Sequence, residues 1–508
     1  MMNFKNSSLI VATSLLAFAD AAYGQVVSLT CSTDGTTLET VCGTESLENE
    51  GQGSYNGTAF GFQTLEDSTG SNNTAVGTWA LEANLTGTRN TAVGSLSLRS
   101  NTIGTDNTAI GFMANDSTVI NSVASFVTAA GSGALENNAG AYNTGVGFNA
   151  LQGAPWSDVT FTGGGTGTSN TGIGAGALFS FSSGHDNTAS GYWALYSNST
   201  GVFNTASGSQ ALYSNSVAAN NTAVGYQALY SNHSDAADMA NDNTATGFFA
   251  LYSNVDGYEN TALGAHALHS NLAGGNNTAT GYAALYANAG GNNNTASGYQ
   301  ALYANTTGSN NIAMGYEAGY KLVAGSDNID IGNEGAAGDN KAIRIGKEGT
   351  QNKTFIAGIY SNATVSGLAV VIGSNGELGA VSSSERFKTA IEPMGSNTER
   401  LQQLRPVTFR YKIDPPGTLR YGLIAEEVAK VYPELVVRDK NDRIDGVRYD
   451  ELAPLLLNEM QKQQQTIAAQ SEHAAAQDAE IRDLKKLVIE MQTGLLKLQA
   501  KDELLAQR

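Results

Sequence analysis

A serine and a lysine five residues apart, Ser383 and Lys388, form the pair in this chain whose types best suit covalent chemistry. A serine hydroxyl is a weak nucleophile until a base removes its proton. A lysine can be that base only where desolvation or nearby cations lower its pKa. Ser383 is also the middle of a serine triplet at 382–384, and a serine run near a lysine is typical of an ordinary polar linker. The surrounding segments must decide between these two interpretations.

The N-terminal residues 1–24 have the features of a cleaved export signal. Lys5 supplies a positive charge, residues 9–18 are mostly apolar but too few to span a bilayer well, and the Ala-Tyr-Gly run at 22–24 fits the small-x-small cleavage rule. An uncleaved anchor is the alternative. No later segment stays apolar for roughly 18 residues. We therefore expect a mature chain without a transmembrane span, secreted or at the cell surface.

The segment 25–55 contains the two cysteines of the chain, Cys31 and Cys42. In an exported chain, cysteines this close favour a small disulfide loop, and pairing between chains is the alternative. Five scattered His and no H-E-x-x-H pattern argue against a His-built metal site. We predict no cofactor and no metal.

Charge divides the chain into a body and a tail. The net charge is -19; the first 380 residues hold 8 basic and 26 acidic side chains, whereas 19 basic and 20 acidic side chains follow from Val381 onward. The acidic balance argues against nucleic acid as a partner. The change near Val381 predicts a domain boundary.

The body, residues 56–333, repeats the frame Asn-Thr-Ala-x-Gly-x-x-Ala-Leu-x-x-Asn with a period of 17, as at 187, 204 and 221. This period is too short for a helical hairpin. Its Thr-Ala-Val-Gly and Ala-Leu-Tyr-Ser segments suit strands between Asn-Gly-rich turns. Stacked coils would pair strands in parallel about 4.8 Å apart and align the Asn side chains in a hydrogen-bonded ladder. We predict a mainly β protein built as a parallel β-solenoid.

Each coil offers little apolar area, mainly Ala, Gly, Ala and Leu, to offset the entropy of ordering it. We therefore expect the row of Leu side chains to face partner chains. The simplest resulting assembly is a homotrimer, and a monomeric β-helix is the alternative.

Two rows of aromatic side chains recur with the coil period. Packing between coils is the favoured interpretation. A sugar-stacking or adhesive face, with a glycan or cell-surface ligand, is the alternative. One row comprises Tyr192, Tyr226, Phe248, Tyr282, Tyr299 and Tyr316, and the other comprises Tyr196, Tyr213, Tyr230, Tyr252, His269, Tyr286 and Tyr303.

The Asn-Thr-Ala-Val-Gly run at 73–77 and its copies resemble the head repeats of trimeric autotransporter adhesins. That resemblance implies a left-handed parallel β-roll, a trimer and an adhesive role. The period is longer here than in those heads.

Residues 334–382 are predicted to form a β neck. Branched side chains alternate at 342–346, 354–360 and 368–372, and the Ser-Asn-Gly run at 374–376 suits a hairpin turn.

From Ser383 onward the chain resembles the peptidase S74 family, the intramolecular chaperone domain of phage tailspikes and endosialidases. The octet at 381–388 and the later blocks at 406–411, 421–428, 432–436 and 447–452 carry the resemblance. It implies self-cleavage by a Ser–Lys dyad in which Ser383 is the nucleophile, Lys388 is the base and the bond between Ser382 and Ser383 is cut. Arg386 occupies the family's Arg position. Ser384 stands where the family has Asp, so Ser382 and Ser384 are minor candidates for the nucleophile.

Two parts are predicted within the tail. Residues 383–458 read as a small α+β chaperone domain, with a helix at 426–431 and strands at 435–438 and 443–447. Residues 459–508 carry apolar residues at 3.5-residue spacing, which predicts a coiled coil.

The resulting hypothesis is an exported homotrimeric fibre with an adhesin-like or tail-fibre-like role, whose C-terminal domain directs trimerisation and removes itself. A polysaccharide-degrading spike is one alternative, although the acids at 158, 235, 238 and 242 form no recognisable catalytic pair. A purely structural sheath or surface-layer protein without cleavage is the other.

Overall fold

The fold is described from a computed structural model, in two units, Met1–Phe355 and Ile356–Arg508. The structure describes residues 31–34, 39–42, 56–66, 68–117, 123–153, 165–233, 240–351, 353–356, 370–373, 376–380, 382–412, 417–439 and 441–506. The predicted export signal lies outside the described residues.

One long sheet forms the first unit. It begins with an antiparallel hairpin, β1 (Cys31–Asp34) and β2 (Glu39–Cys42), and β2 then pairs in parallel with β3. From β3 to β19, each strand pairs in parallel with the next along the chain. These strands are β3 (Thr58–Phe60), β4 (Thr74–Val76), β5 (Thr91–Val93), β6 (Thr108–Ile110), β7 (Thr128–Ala130), β8 (Thr144–Val146), β9 (Thr171–Ile173), β10 (Thr188–Ser190), β11 (Thr205–Ser207), β12 (Thr222–Val224), β13 (Thr244–Thr246), β14 (Thr261–Leu263), β15 (Thr278–Thr280), β16 (Thr295–Ser297), β17 (Ile312–Met314), β18 (Ile329–Ile331) and β19 (Ile343–Ile345).

The register of this sheet follows the sequence repeat. Thr188 of β10 pairs with Thr205 of β11, which pairs with Thr222 of β12. Equivalent residues therefore lie directly above one another, and the predicted parallel β-solenoid is confirmed. The parallel pairing continues past residue 333 to β19.

Only one of the two predicted strand segments in each coil is a strand. The Ala-Leu-Tyr-Ser segments form turns, so that part of the prediction is wrong. In the coil after Asn187, Trp193 and Leu195 have φ of 55° and 51°, a left-handed conformation that no strand contains. Gly191 also has a positive φ, and a Cβ there would lie 2.5 Å from the carbonyl oxygen of Gly208 in the next coil. These left-handed residues turn the chain sharply enough to close a coil in 17 residues.

The core of the solenoid is built from small side chains and one leucine in most coils; in the coil of β6, Asn115 takes the leucine position. The middle residue of nearly every strand is Ala and is buried, and Leu195, Leu212 and Leu229 are also fully buried. The expectation that the Leu row faces partner chains is therefore wrong, because the left-handed turn points each Leu inward. Burying a leucine contributes roughly 2 kcal/mol, so each coil is less dependent on partners than its composition suggested.

Two rows of buried asparagines form the ladder that the repeat predicts. In one row, the backbone N–H of Asn204 donates to Oδ1 of Asn187 at 3.0 Å, while the side-chain amide of Asn204 donates to the carbonyl of Ala218 at 2.8 Å. In the other row, Nδ2 of Asn215 donates to Oδ1 of Asn198 at 2.7 Å. These buried amides thus satisfy a turn carbonyl of their own coil and link that coil to its neighbour.

Among its described residues, the second unit contains three short antiparallel pairs, two α-helices and three 3-10 helices. The hairpin β20 (Val370–Ile372) and β21 (Leu378–Ala380) supports the turn predicted in the neck, whereas residues 354–356 are irregular rather than a strand. The remainder of the predicted strand at 354–360 lies outside the described residues. The other elements are β22 (Val407–Phe409) with β23 (Arg420–Gly422), α1 (Ala425–Val431), β24 (Val436–Arg438) with β25 (Ile444–Val447), and α2 (Tyr449–Ala506).

A small core holds this unit together. Val428, Tyr432, Leu435 and Val436 are buried between α1 and the β24–β25 pair. Helix α2 begins at Tyr449, before the predicted coiled-coil start at 459, and its apolar residues beyond 459 are largely exposed in the single chain. A coiled coil of several α2 helices stays a prediction. None of the described helices combines the length and apolar character that crossing a membrane requires.

Candidate active site

A single turn brings Ser383 and Lys388 together. Residues 382–384 lack helical structure, and a short 3-10 helix, Glu385–Phe387, follows. The amide of Lys388 donates to the carbonyl of Glu385 at 3.0 Å, which closes the turn. The Lys388 side chain then points back, and its Nζ donates to Oγ of Ser383 at 3.2 Å. A separation of five residues, with one tight turn between them, therefore lets the lysine amine reach the serine hydroxyl.

The immediate surroundings of the pair are polar and open. Ser382, Ser383 and Lys388 are all exposed in the single chain. The guanidinium of Arg386 lies over the ring of Phe387, 4.6 Å from its centroid. Ser384 makes no capping hydrogen bond to the turn that follows it. The amine and the hydroxyl are thus within hydrogen-bonding distance, and both side chains are open to solvent in the single chain.

Ion pairs and hydrogen bonds fix the rest of the small unit. Arg405 forms two hydrogen bonds to the carboxylate of Glu427, at 3.1 and 2.6 Å, and this pairing lowers the pKa of Glu427. Nδ2 of Asn458 donates to Oγ1 of the buried Thr398 at 2.9 Å, which ties α2 to the short 3-10 helix at 395–403. Glu427 is therefore a structural partner of Arg405. The sequence blocks place both residues in the domain, but only the three-dimensional structure reveals their pairing.

The two cysteines face each other at the start of the sheet. The antiparallel register of β1 and β2 sets Cys31 directly opposite Cys42, and Cys42 is disulfide-bonded. This supports the predicted loop, since directly opposed positions of a hairpin bring backbones to the spacing that a disulfide spans.

The aromatic rows pack along the solenoid, as the favoured interpretation predicts. Neighbouring rings of the second row lie 4.9–5.4 Å apart with interplanar angles of 1–16°. This row extends beyond the predicted members to Phe179 at one end and Tyr320 at the other. Counting from the leading Asn of each coil would have found both. Because interior rings cover one another, they leave no free ring face on which a sugar could stack.

The first row is less continuous. Tyr282, Tyr299 and Tyr316 stack with centroids 5.4 and 5.2 Å apart. The row is interrupted where the coils carry Ser209 and Ala265. Its rings are exposed, so an adhesive role for this row stays a hypothesis.

Two buried carboxylates were not anticipated from the sequence. Burial raises the pKa of Asp116 and of Asp330 to about 6 each. Asp330 occupies the inward strand position that alanine fills in β17, and this break in the repeat was the available signal. Across the described part of the chain, no three His, Cys, Asp or Glu side chains cluster as a metal site would require.

Comparison with known proteins identifies one part of the chain. Residues 383–437 match the Peptidase_S74 family model, described as the chaperone of endosialidase. The match begins at Ser383, so it includes both members of the Ser–Lys pair and extends through α1 to β24. Neither the curated proteins nor the solved structures contain a significant match to the chain. A long parallel β-solenoid followed by an S74-type chaperone domain fits the architecture expected from the sequence.

Proposed function

We propose that this chain is an exported homotrimeric fibre with an adhesin-like or tail-fibre-like binding role, whose C-terminal domain directs trimerisation and then cuts itself off. The order of a β-solenoid and an S74-type domain fits a tail-fibre or spike-like protein. The observation that supports cleavage most directly is the 3.2 Å contact between Nζ of Lys388 and Oγ of Ser383, at the first residue of the matched region.

The proposed reaction needs only these two side chains and water. The neutral amine of Lys388 takes the hydroxyl proton of Ser383, and Oγ bonds to the carbonyl carbon of Ser382. The C–N bond between Ser382 and Ser383 then breaks, and its nitrogen receives the proton from Lys388. Water hydrolyses the resulting ester, which leaves a carboxylate on Ser382 and restores the hydroxyl of Ser383, the new N-terminus.

Assembly would control this reaction. An amine in water holds its proton, and burial next to another cation favours the neutral form. Lys388 is exposed in the single chain, and Arg386 lies two residues away. Packing of three chains would bury Lys388, so we expect cleavage to follow trimerisation rather than precede it.

Substitution of single serines tests the nucleophile. The full chain is expressed as wild type, Ser383→Ala and Ser384→Ala, and the fragments are identified by intact mass and N-terminal sequence. Wild type and Ser384→Ala are expected to yield a C-terminal fragment starting at Ser383, and Ser383→Ala to stay intact. Cleavage at this bond in Ser383→Ala would remove Ser383 as the nucleophile.

A shortened chain tests the role of the C-terminal domain in assembly. Nearly identical coils can slip by 17 residues at little energetic cost, so a clamp outside the repeat is needed to align three chains. A chain that ends at Gly379 is expected to give aggregates or mixed assemblies. A soluble, uniform trimer from that shortened chain would contradict the clamp.

A further inference from the structure

The outward side of the solenoid sheet is uncharged along its whole length. In each strand from β3 to β18, the middle residue is buried and the first and third residues point outward; in β19 the middle residue, Arg344, is half-exposed. We call these first and third residues the uncharged strand face. They include no Asp, Glu, Lys or Arg in any of these strands. The charged strand residues, Asp330 and Arg344, are both at the middle position.

The lack of charged side chains is a property of this one face and not of the solenoid as a whole. The first 380 residues hold 26 acidic and 8 basic side chains. In the described coils they lie in the turns, as Glu82, Asp186 and Glu259 do, or at the inward strand position. Charge has therefore been placed around the strand face and not on it.

The uncharged strand face also carries large apolar side chains that are exposed to solvent in the single chain. Its third positions include exposed Phe60, Ile110, Ile173 and Leu263. The third positions are apolar without interruption from β3 to β9, and contiguous exposed apolar surface marks an interaction site in soluble proteins.

The residue types on this face are self-complementary. Close to a threefold axis that runs along the rod, a side chain meets its own copies at the same height, so a charge there would meet equal charges. Threonine occupies the first position of β3–β16, and its hydroxyl both donates and accepts hydrogen bonds, so it can pair with another threonine. Valine and isoleucine pack well against themselves. These properties favour another copy of this chain over an unrelated partner.

We propose that the uncharged strand face is the surface through which copies of this chain pack in parallel and in register around a common axis. The proposal rests on the homotrimer of the proposed function and identifies the face that forms it. The Leu row, which the sequence favoured for this role, is buried inside each coil.

The size of the face sets how much it can contribute to assembly. Its 17 strands, spaced about 4.8 Å apart, give a strip of roughly 77 Å. With a width of about 10 Å, the strip offers roughly 800 Å² per copy, which a trimer divides between two neighbours at about 400 Å² each. This is about half of the area that a standard stable interface takes from each partner, so the C-terminal domain must contribute to assembly.

The C-terminal end of the face would fix the register. Isoleucine replaces threonine at the first position of β17, β18 and β19, and Met314, Ile331 and Ile345 fill the third position. A copy displaced by one coil would set an isoleucine against a threonine and leave another isoleucine in water. The aligned arrangement buries all of these side chains against their own copies.

Three matched pairs of apolar residues allow a controlled test in the full chain. Ile110, Val224 and Leu263 lie on the uncharged strand face and are 48%, 39% and 50% exposed. The turn residues Ile103, Val217 and Leu272 are 51%, 42% and 49% exposed. The face variant changes the first three to Asp, and the control variant changes the second three to Asp. Both carry the same substitutions and the same added charge.

The mass of each assembly is measured by light scattering, and unfolding is followed by circular dichroism. The control is expected to match the wild-type trimer. The face variant is expected to lose the trimer or, where the C-terminal domain still holds three chains, to unfold at a temperature lower by roughly 10 °C or more. Equal behaviour of the two variants in a trimeric wild type would overturn the face but not the trimer. A monomeric wild type would overturn the trimer itself.

Cross-linking provides a second readout that does not depend on stability. Leu263→Cys and Leu272→Cys are compared under mild oxidation on non-reducing gels. Leu263→Cys is expected to form covalent dimers, because copies of this residue face one another near the axis, and Leu272→Cys is expected to stay monomeric. Cross-linking of Leu272→Cys alone would place the interface on the turns and refute the proposal.

Discussion

Replacing Asp330 by Asn probes the buried carboxylate near the end of the solenoid. Asp330 holds the inward position of β18 and is only 1% exposed. Its Oδ2 atom has no hydrogen-bond partner among the described residues. Desolvation and the nearby carboxylate of Asp339 raise its pKa from 3.8 to about 6, although Arg344 opposes this. Arg344 directs its guanidinium to Asp339 instead, at 2.5 and 2.7 Å.

The raised pKa predicts a stability that falls as pH rises. A folded-state pKa of about 6 against an ordinary 3.8 corresponds to about 3 kcal/mol. Because the folded state favours the protonated acid, this contribution is complete below pH 4 and is lost as pH rises through 6. Asp116, with a pKa raised to about 6, acts in the same direction. Glu334, whose pKa is lowered from 4.5 to about 2 by Lys321 and Lys347, acts in the opposite direction: its contribution to stability is lost as pH falls from about 4.5 towards 2.

The assay compares the free energy of unfolding of the full chain at pH 4, 5.5 and 7.5, from urea titrations followed by circular dichroism. Asparagine has nearly the same shape as aspartic acid and no charge. Relative to wild type, Asp330→Asn is expected to become more stable as pH rises, by up to about 3 kcal/mol between pH 4 and pH 7.5.

The matched control is Asp327→Asn, three residues earlier and exposed. Any dependence on pH that this exposed substitution shows is subtracted from that of Asp330→Asn. The quantity compared is the difference in unfolding free energy between wild type and Asp330→Asn. If this difference stayed constant over the range, the reasoning would be refuted, because the carboxylate would then ionise equally well in the folded and unfolded states.

Three further predictions concern the repeat, each measured as the free energy of unfolding. Leu251→Ala removes a fully buried side chain and is expected to cost about 2–5 kcal/mol, whereas Leu272→Ala, in an exposed turn, is expected to change stability by less than about 0.5 kcal/mol. Asn271→Ala breaks bonds to the coils on both sides and is expected to cost about 1–3 kcal/mol. Tyr230→Ala removes two stacked ring contacts and is expected to cost about 1–3 kcal/mol. Costs below about 0.5 kcal/mol would show that the ladder or the stack does not hold coils together.

The repeat predicts the sheet well because its period carries both the pairing and the register. Once Asn187, Asn204 and Asn221 are recognised as equivalent, parallel strands and an asparagine ladder follow from stacking. The turns are harder to predict. Ala-Leu-Tyr-Ser has the composition of a strand, and its left-handed leucine is disfavoured by local sterics. The conformation at Leu195 is imposed by closing a coil and burying the side chain, which are tertiary effects.

The candidate site was predictable in position but not in environment. Four sequence blocks in order identified the domain, and the structure places Nζ of Lys388 on Oγ of Ser383. Whether a lysine is neutral depends on what surrounds it, and in the single chain Lys388 is exposed. Local sequence could not supply this information, because the burial that we propose comes from other copies of the chain.

The burial of the Leu row changes the reason for expecting a trimer. A row that faced partners would have made each coil unstable alone, so assembly would have been a condition of folding. With Leu195 and its equivalents inside, a single coil closes its own core, and what remains for assembly is the uncharged strand face. Assembly can then follow coil formation. Because the Thr-rich coils are nearly identical, they do little to fix which coil of one chain lies beside which coil of the next. In the proposed trimer, the isoleucines of β17–β19 and the C-terminal clamp would both act against slippage near the same end of the repeat. Removal of the domain after alignment would then leave the aligned isoleucines to maintain the register.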